Sequence, residues 1–310
     1  MTFKLIAALF IILMMTMSSS SHAFTVIDSH LHVWATAEEA SSNFPYAGED
    51  QTPPSSLQNE ASPEKLLEQM NTAKVDGALI VQPINHKYDH SYVTNAIKKY
   101  PNKFKGMLLH DPSLPSKLAV QRLEELVLAG YVGVRFNPYL WSDGQLMSSG
   151  AGLDVYKRCG ELKIPVGIMC FKGLQLHIED IRALISESPE TCCILDHMGF
   201  CALNDEGDEA FKLLLGLAKY PNVYVKISAL FRNIGDNDSF PYNKVKNKRF
   251  DPLLDAYGAD RLMMGSDFPF VIETEGSYKG AIETVISWAD GNDQKAVVGG
   301  TAERLFGSWT

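Results

Sequence analysis

Two histidines separated by one residue are the first groups in the chain that could do chemistry. His30 and His32 leave a predicted strand whose β-branched entry begins at Val26. Because side chains alternate along a strand, both imidazoles point to one face and Leu31 points to the other. An imidazole can bind a metal, polarise a carbonyl or move a proton near neutral pH. The two histidines of such a pair can also simply hydrogen-bond to their neighbours in a half-buried strand. Polar residues elsewhere in the chain therefore decide between the two interpretations.

Further polar side chains stand at the ends of later apolar runs: Gln82, Arg135, Asn137, His197 and Asp267. Asp267 is the candidate general base, which would accept a proton from an attacking water. His30, His32 and His197 would polarise the carbonyl group of a bound substrate and stabilise the negative charge that develops on its oxygen. For His197 alone, the alternative is a core histidine bonded to backbone.

A cation on an apolar strand needs an anionic partner. For Arg135 that partner is either a substrate carboxylate held by the guanidinium fork or an internal carboxylate, and the sequence leaves both open. Gln82 and Asn137 are predicted as additional substrate contacts.

The elements that must position these groups are eight short apolar runs that alternate with amphipathic helical stretches. Near-continuous apolar strands are typical of a parallel sheet that is covered on both faces. The pattern predicts a (β/α)8 barrel whose candidate site lies at the C-terminal mouth, where the ends of all strands converge. A doubly wound sheet is disfavoured because no Gly-rich phosphate loop follows an early strand. The runs are residues 26–34, 77–83, 104–112, 131–138, 165–170, 192–199, 222–227 and 261–269.

Two features follow the first strand. Residues 35–62 form a long polar segment, predicted as a loop that could act as a lid. Ser62 and Pro63 then predict a helix start, with Ser62 as the N-cap and Pro63 in the first turn.

Residues 1–23 have the pattern of a cleaved signal peptide. Lys4 precedes an apolar run too short to span a bilayer, and small residues at Ser21 and Ala23 suit cleavage before Phe24. The sequence therefore predicts a secreted or secretory-pathway protein whose single domain covers residues 24–310. No later run is long and apolar enough for a membrane span, so no membrane association is expected after cleavage.

Charge and cysteine content restrict the partners. A net charge of −9 argues against binding to nucleic acid or to an anionic membrane. The expected partner is a small-molecule substrate. The five cysteines are an odd number in apolar runs, which favours buried thiols over a disulfide framework, although export leaves one bridge possible.

Four motifs in order carry a resemblance to a known family: I-D-x-H-x-H-x-W at 27–34, G-V-R-F-N at 133–137, L-D-H-M-G at 195–199 and M-G-S-D-F-P at 264–269. Together they resemble the amidohydrolase-related branch of the amidohydrolase superfamily. The closest likeness is to the group of 2-pyrone-4,6-dicarboxylate lactonase and the sugar-lactone and muconolactone hydrolases. The resemblance implies a distorted (β/α)8 TIM barrel and hydrolysis at a carbonyl.

The resemblance also bears on the cofactor. Metal-dependent members usually place a histidine at the end of strand five, where this chain has Met169 and Cys170. The pyrone dicarboxylate lactonase also lacks that histidine and works without metal. The expectation is therefore no metal or a weakly held divalent ion such as zinc, for which His30, His32 and Asp267 would be the ligands.

The sequence is compatible with three functions. The first is a hydrolase that opens a small carboxylate-bearing or sugar-derived lactone by attack of water on the carbonyl. The second is a metal-dependent non-oxidative decarboxylase of an unsaturated or aromatic acid, which the missing strand-five histidine disfavours. The third is a barrel that binds a small acid without catalysis, which the retention of three histidines with Asp267 disfavours.

Overall fold

Eight parallel strands form one sheet in which each strand pairs with the next along the chain. This architecture is seen in a computed structural model that describes residues 24–235 and 238–309. The predicted signal peptide lies outside the described residues. The strands are β1 Ile27–Leu31, β2 Gly77–Val81, β3 Phe104–Leu109, β4 Tyr131–Phe136, β5 Val166–Ile168, β6 Cys193–Leu195, β7 Val223–Ile227 and β8 Leu262–Met264.

The first and last strands close the sheet into a barrel. Leu31 pairs in parallel with Phe268, and the His32 amide donates to the Phe268 carbonyl over 2.7 Å. One residue earlier, the Asp267 amide donates to the His30 carbonyl over 2.8 Å. The predicted (β/α)8 barrel is therefore confirmed, and its seam runs between the two candidate catalytic segments.

Helices cover the outside of the barrel. The predicted start at Ser62 is confirmed, because its side chain accepts a hydrogen bond from the Lys65 amide and Pro63 opens the helix. The α-helices are Ala37–Ser42, Pro63–Ala73, Ser91–Lys99, Ser116–Leu128, Gly150–Leu162, Ile178–Glu187, Asp205–Gly216, Asn243–Val245, Asp251–Tyr257, Ser277–Trp288, Gly291–Lys295 and Thr301–Phe306.

The segment 35–62 has more structure than the predicted loop. It contains the helix Ala37–Ser42 and a 3-10 turn at Glu49–Gln51. The helix begins with a capping box, in which Thr36 accepts from the Glu39 amide and the Glu39 carboxylate accepts from the Thr36 amide. The spacing of Thr36 and Glu39 was a readable signal that the prediction missed.

The lower end of the barrel is closed by its C-terminal segment. Trp309 is buried against β2, where a side chain at Gly77 would meet the indole at 2.3 Å. The Trp309 indole N–H donates to the Ala78 carbonyl over 3.2 Å. Lys105 lies over the same indole and donates to the Phe306 carbonyl. We call Trp309, Ala78, Lys105 and Phe306 the barrel floor.

Two further expectations concern membranes and thiols. Within the described residues, no helix combines the length and apolar character that crossing a bilayer requires. All five cysteines are free thiols, and Cys192 is the one that is partly exposed.

Candidate active site

A cavity of about 290 Å³ opens at the carboxyl ends of the strands. Six of the seven predicted site residues line it, and the seventh, His30, lies buried beneath it. Its walls are largely apolar, with Trp34, Phe171, Phe200 and Phe270 among them. The convergence expected from the barrel is thus observed for the side chains His32, Gln82, Arg135, Asn137, His197 and Asp267.

His197 and Asp267 lie just beyond the ends of β6 and β8 rather than within these strands. His197 has φ 55° and Asp267 has φ 65°, both in the left-handed region. Such backbone is unfavourable for residues with a side chain and tends to occur at functional sites. The turns bring both side chains over the end of the barrel, where their nearest atoms are 3.8 Å apart.

Asp28 holds the turn that carries Asp267. Its carboxylate accepts from the Ser266 amide over 2.9 Å and from the Ser266 hydroxyl over 2.5 Å. The Ser266 hydroxyl oxygen in turn accepts from the Phe268 amide. Asp28 is fully buried, and burial raises the pKa of its carboxyl to about 6. This network connects β1 to the turn after β8 and fixes the position of the candidate base.

Asp267 is buried between a histidine and an arginine. Its Oδ1 lies 3.6 Å from His32 Nε2, and its Oδ2 accepts from Arg232 Nε over 3.1 Å. Burial raises the pKa of Asp267 to about 7, against the lowering effect of Arg232. A carboxylate with this pKa can accept a proton near neutral pH and return it later in the reaction.

The histidines are neutral. Burial lowers the pKa of His32 to about 3 and places the pKa of His30 and His197 well below the ordinary value. His32 Nδ1 donates to the Val81 carbonyl over 2.8 Å, so its Nε2 lone pair faces Asp267. His197 Nδ1 bonds the Ser228 hydroxyl at 2.8 Å. Neutral imidazoles can serve as hydrogen-bond partners without adding charge to the cavity.

Beneath the cavity lies a buried charged layer, which we define as His30, Asp196, Lys226 and Arg135. Asp196 Oδ1 lies 3.2 Å from His30 Nδ1 and 3.4 Å from Lys226 Nζ. Asp196 Oδ2 lies 3.8 Å from Arg135 Nε. Asp196 and Lys226 are both fully buried, so each requires the other to offset the cost of burying a charge.

Arg135 therefore has an internal anionic neighbour and also reaches the cavity. Its separation from Asp196 exceeds hydrogen-bond length, and its Nε makes no hydrogen bond to any described residue. Burial lowers the pKa of Arg135, while Asp196 and Asp267 raise it. Donor capacity is thus left over for a bound anion.

Gln82 and Asn137 line the cavity with part of their polar groups already engaged. The Gln82 amide nitrogen donates to the carbonyls of Lys87 and Asp89, while its oxygen is buried without a partner among the described residues. The Asn137 oxygen accepts from the Tyr139 amide. The free Gln82 oxygen is an acceptor that a substrate hydroxyl could use.

The sequence-based prediction missed four residues of this site. Lys226 carries the same signal that identified Arg135, a cation on an apolar strand. Asp28 and Asp196 lie inside the recognised motifs beside the histidines. Arg232 follows β7 in an irregular segment, so no pattern in the sequence indicated its contact with Asp267.

A candidate metal cluster is present, since one ligand atom each of His30, His32 and Asp267 lies within 4.8 Å of the others. Two imidazoles and a carboxylate suit a catalytic zinc by type. Their neighbours do not suit it, because Lys226 Nζ lies 3.2 Å from His30 Nδ1 and Arg232 occupies one oxygen of Asp267.

Strand five offers no replacement ligand. Burial raises the pKa of the Cys170 thiol well above its ordinary value, so it remains protonated. The donor set thus does not fit a tightly held divalent cation.

The structure is that of a (β/α)8-barrel protein with a cluster of histidines and carboxylates at its C-terminal mouth. The chain belongs to the amidohydrolase family, whose model matches residues 27–308. This match agrees with the resemblance read from the four motifs.

A curated relative matches part of the chain. The L-fucono-1,5-lactonase of Burkholderia multivorans is 30% identical over 141 residues, which cover 42% of this chain and 47% of that protein. The chain thus matches about half the length of this curated relative.

Solved structures show the same fold. A Pseudomonas putida protein provisionally assigned as a 2-pyrone-4,6-dicarboxylic acid hydrolase is 24% identical, with a TM-score of 0.72 over 92% of this chain and 98% of that one. A zinc-bound amidohydrolase from Burkholderia multivorans is 21% identical, with a TM-score of 0.73 over 91% and 99%.

Proposed function

We propose that the protein is a hydrolase that opens a small carboxylate-bearing or sugar-derived lactone by attack of water on the carbonyl. One observation carries the proposal: a buried carboxylate with a pKa of about 7, Asp267, stands among neutral histidines at the end of a ring-sized cavity. The names of the lactonase relative and of the pyrone dicarboxylic acid hydrolase support a lactone as the substrate.

The chemistry follows from the placement of the groups. Asp267 accepts a proton from water as the water oxygen bonds to the carbonyl carbon. Hydrogen-bond donors of His197 and Arg135, which line the cavity, stabilise the negative charge on the carbonyl oxygen. The ring C–O bond then breaks, and the leaving oxygen takes the proton from Asp267. No step requires a metal, and we propose that the enzyme works without one.

The proposal is tested with a panel of lactones, assayed by proton release at neutral pH with and without a chelator. Hydrolysis that is unaffected by the chelator is the expected result. Carbon dioxide release from unsaturated acids on addition of zinc would instead identify a decarboxylase. Melting shifts with these ligands and no turnover would identify a binding protein, and either result would refute the lactonase.

Replacing Arg135 with methionine is expected to raise the KM for carboxylate-bearing lactones by about 10-fold to 150-fold. Those substrates lose a charge-assisted pair worth on the order of 1.5–3 kcal/mol. Neutral lactones serve as the control, because they make no such pair. Equal losses for both substrate types would assign Arg135 to its internal contact with Asp196 alone.

The rate should follow the ionisation of Asp267. Because burial raises its pKa to about 7, kcat/KM is expected to fall tenfold per pH unit below about pH 7. Arg232→Met removes a cation that lowers this pKa, so the acid limb should move to higher pH. A pH–rate profile of both proteins measures the shift, and an unchanged limb would contradict the role of Arg232.

We also propose that the protein is exported through the secretory route. The short apolar run and the small residues at Ser21 and Ala23 support cleavage before Phe24. Amino-terminal sequencing of protein recovered outside the cytoplasm is expected to start at Phe24. An intact N-terminus on cytoplasmic protein would contradict export.

A further inference from the structure

We propose that Lys226 supplies, from beneath His30, positive charge that a metal ion would otherwise bring, and thereby makes the His30–His32–Asp267 cluster reject divalent cations. This role builds on the proposed metal-free reaction. It is nevertheless tested without a lactone, so its failure and the failure of the proposed function are separate results.

Lys226 occupies an unusual position for a lysine. It lies on β7 with no exposed surface, and its Nζ is 3.2 Å from His30 Nδ1 and 3.4 Å from Asp196 Oδ1. The remaining hydrogen-bond contact is weak, to the Met107 sulfur at 3.9 Å. Burial lowers the pKa of Lys226, whereas Asp196 favours the charged ammonium. The ammonium is thus directed at one histidine and one carboxylate.

This position is unfavourable for a metal on His30. A histidine that binds a metal through one ring nitrogen normally donates from the other to a carboxylate or a carbonyl. His32 meets this requirement, because its Nδ1 donates to Val81. His30 meets it only in part, since its Nδ1 is equally close to the Asp196 carboxylate and to the Lys226 ammonium. With a metal on Nε2, the Nδ1 proton would face that ammonium.

The wider charge distribution acts in the same direction. Lys226 and Arg135 share the Asp196 carboxylate, while Arg232 engages Asp267, so three cations contact two carboxylates. A divalent ion would add two positive charges to a buried cluster that already has an excess of cations. Such repulsion is poorly screened away from water. The candidate metal ligands His30, His32 and Asp267 therefore lie in an environment that is rich in cations.

The inference predicts a gain of metal binding when the charge is removed. Lys226→Met and, as a variant that keeps a hydrogen-bonding group, Lys226→Gln are titrated with zinc in competition with a chromogenic chelator. Each is expected to bind zinc about tenfold or more tightly than wild type, the size of effect typical of neighbours of metal ligands. Circular dichroism checks that each variant is folded, because an unfolded chain could bind zinc through its exposed cysteines and histidines.

Two controls locate the effect. Lys105→Met removes a lysine from the barrel floor, far from the cluster, and should leave zinc affinity unchanged. His32→Ala added to Lys226→Met should abolish the gain. Zinc affinity equal to wild type in both Lys226 variants would overturn the proposal. Tight stoichiometric zinc in the wild-type protein would overturn it as well, even if neither variant folds.

Discussion

Replacing Asp267 with asparagine is expected to lower kcat/KM for lactone hydrolysis by about a hundredfold or more. The amide has nearly the same shape as the carboxylate but cannot accept the proton from water. Asparagine also tolerates the left-handed backbone at φ 65°, so the turn should be preserved. Steady-state kinetics with a lactone substrate, together with a thermal melt of the variant, measure the effect.

The matched control for this variant is Asp111→Asn. Asp111 also follows a strand at the carboxyl end of the barrel, but it does not line the mouth cavity and bonds to Ser113 instead. It should retain wild-type activity. A folded Asp267→Asn protein that turns over at the wild-type rate would show that another group is the base.

Replacing Asp196 with asparagine is expected to lower the free energy of unfolding by about 3–5 kcal/mol. The carboxylate is fully buried and contacts His30, Lys226 and Arg135, so its loss leaves two buried cations without their anion. Breaking one side of a buried ion pair has an effect of this size. Urea denaturation of the two proteins measures the difference.

A second substitution checks the cause of that loss. Adding Lys226→Met to Asp196→Asn removes one of the uncompensated cations, so part of the lost stability should return. A double variant that is destabilised by the plain sum of the two single effects would mean that the two side chains do not interact. A loss of less than about 1 kcal/mol for Asp196→Asn alone would place the pair in the range of solvent-screened contacts.

The barrel was predictable because its signal repeats. Each strand is a short apolar run that is followed by an amphipathic helix, and the parallel sheet closes in the predicted order. Strand ends were less predictable, since β6 stops at Leu195 and β8 at Met264, before the turns that carry His197 and Asp267. Left-handed backbone at a residue other than glycine depends on tertiary contacts such as those of Asp28, which local sequence does not reveal.

Some residues of the candidate site could also be predicted from the sequence, and others could not. Side chains that follow strands, such as His32 and Asp267, could be placed at the mouth from strand order alone. Arg232 could not, because it reaches Asp267 from an irregular segment. Lys226 was overlooked although a lysine on an apolar strand has the same physical meaning as Arg135. Whether a buried cation faces a substrate or an internal carboxylate depends on side-chain distances.

The barrel floor has a consequence for the order of folding. The Trp309 indole and its partner Ala78 are separated by 231 residues, and Lys105 and Phe306 by 201. Contacts this distant along the chain require closing a large loop and form slowly. Until the segment around Trp309 arrives, the apolar lower interior of the barrel stays exposed, as it does during synthesis from the N-terminus. A chain in which this segment has not yet docked therefore exposes apolar surface that favours aggregation.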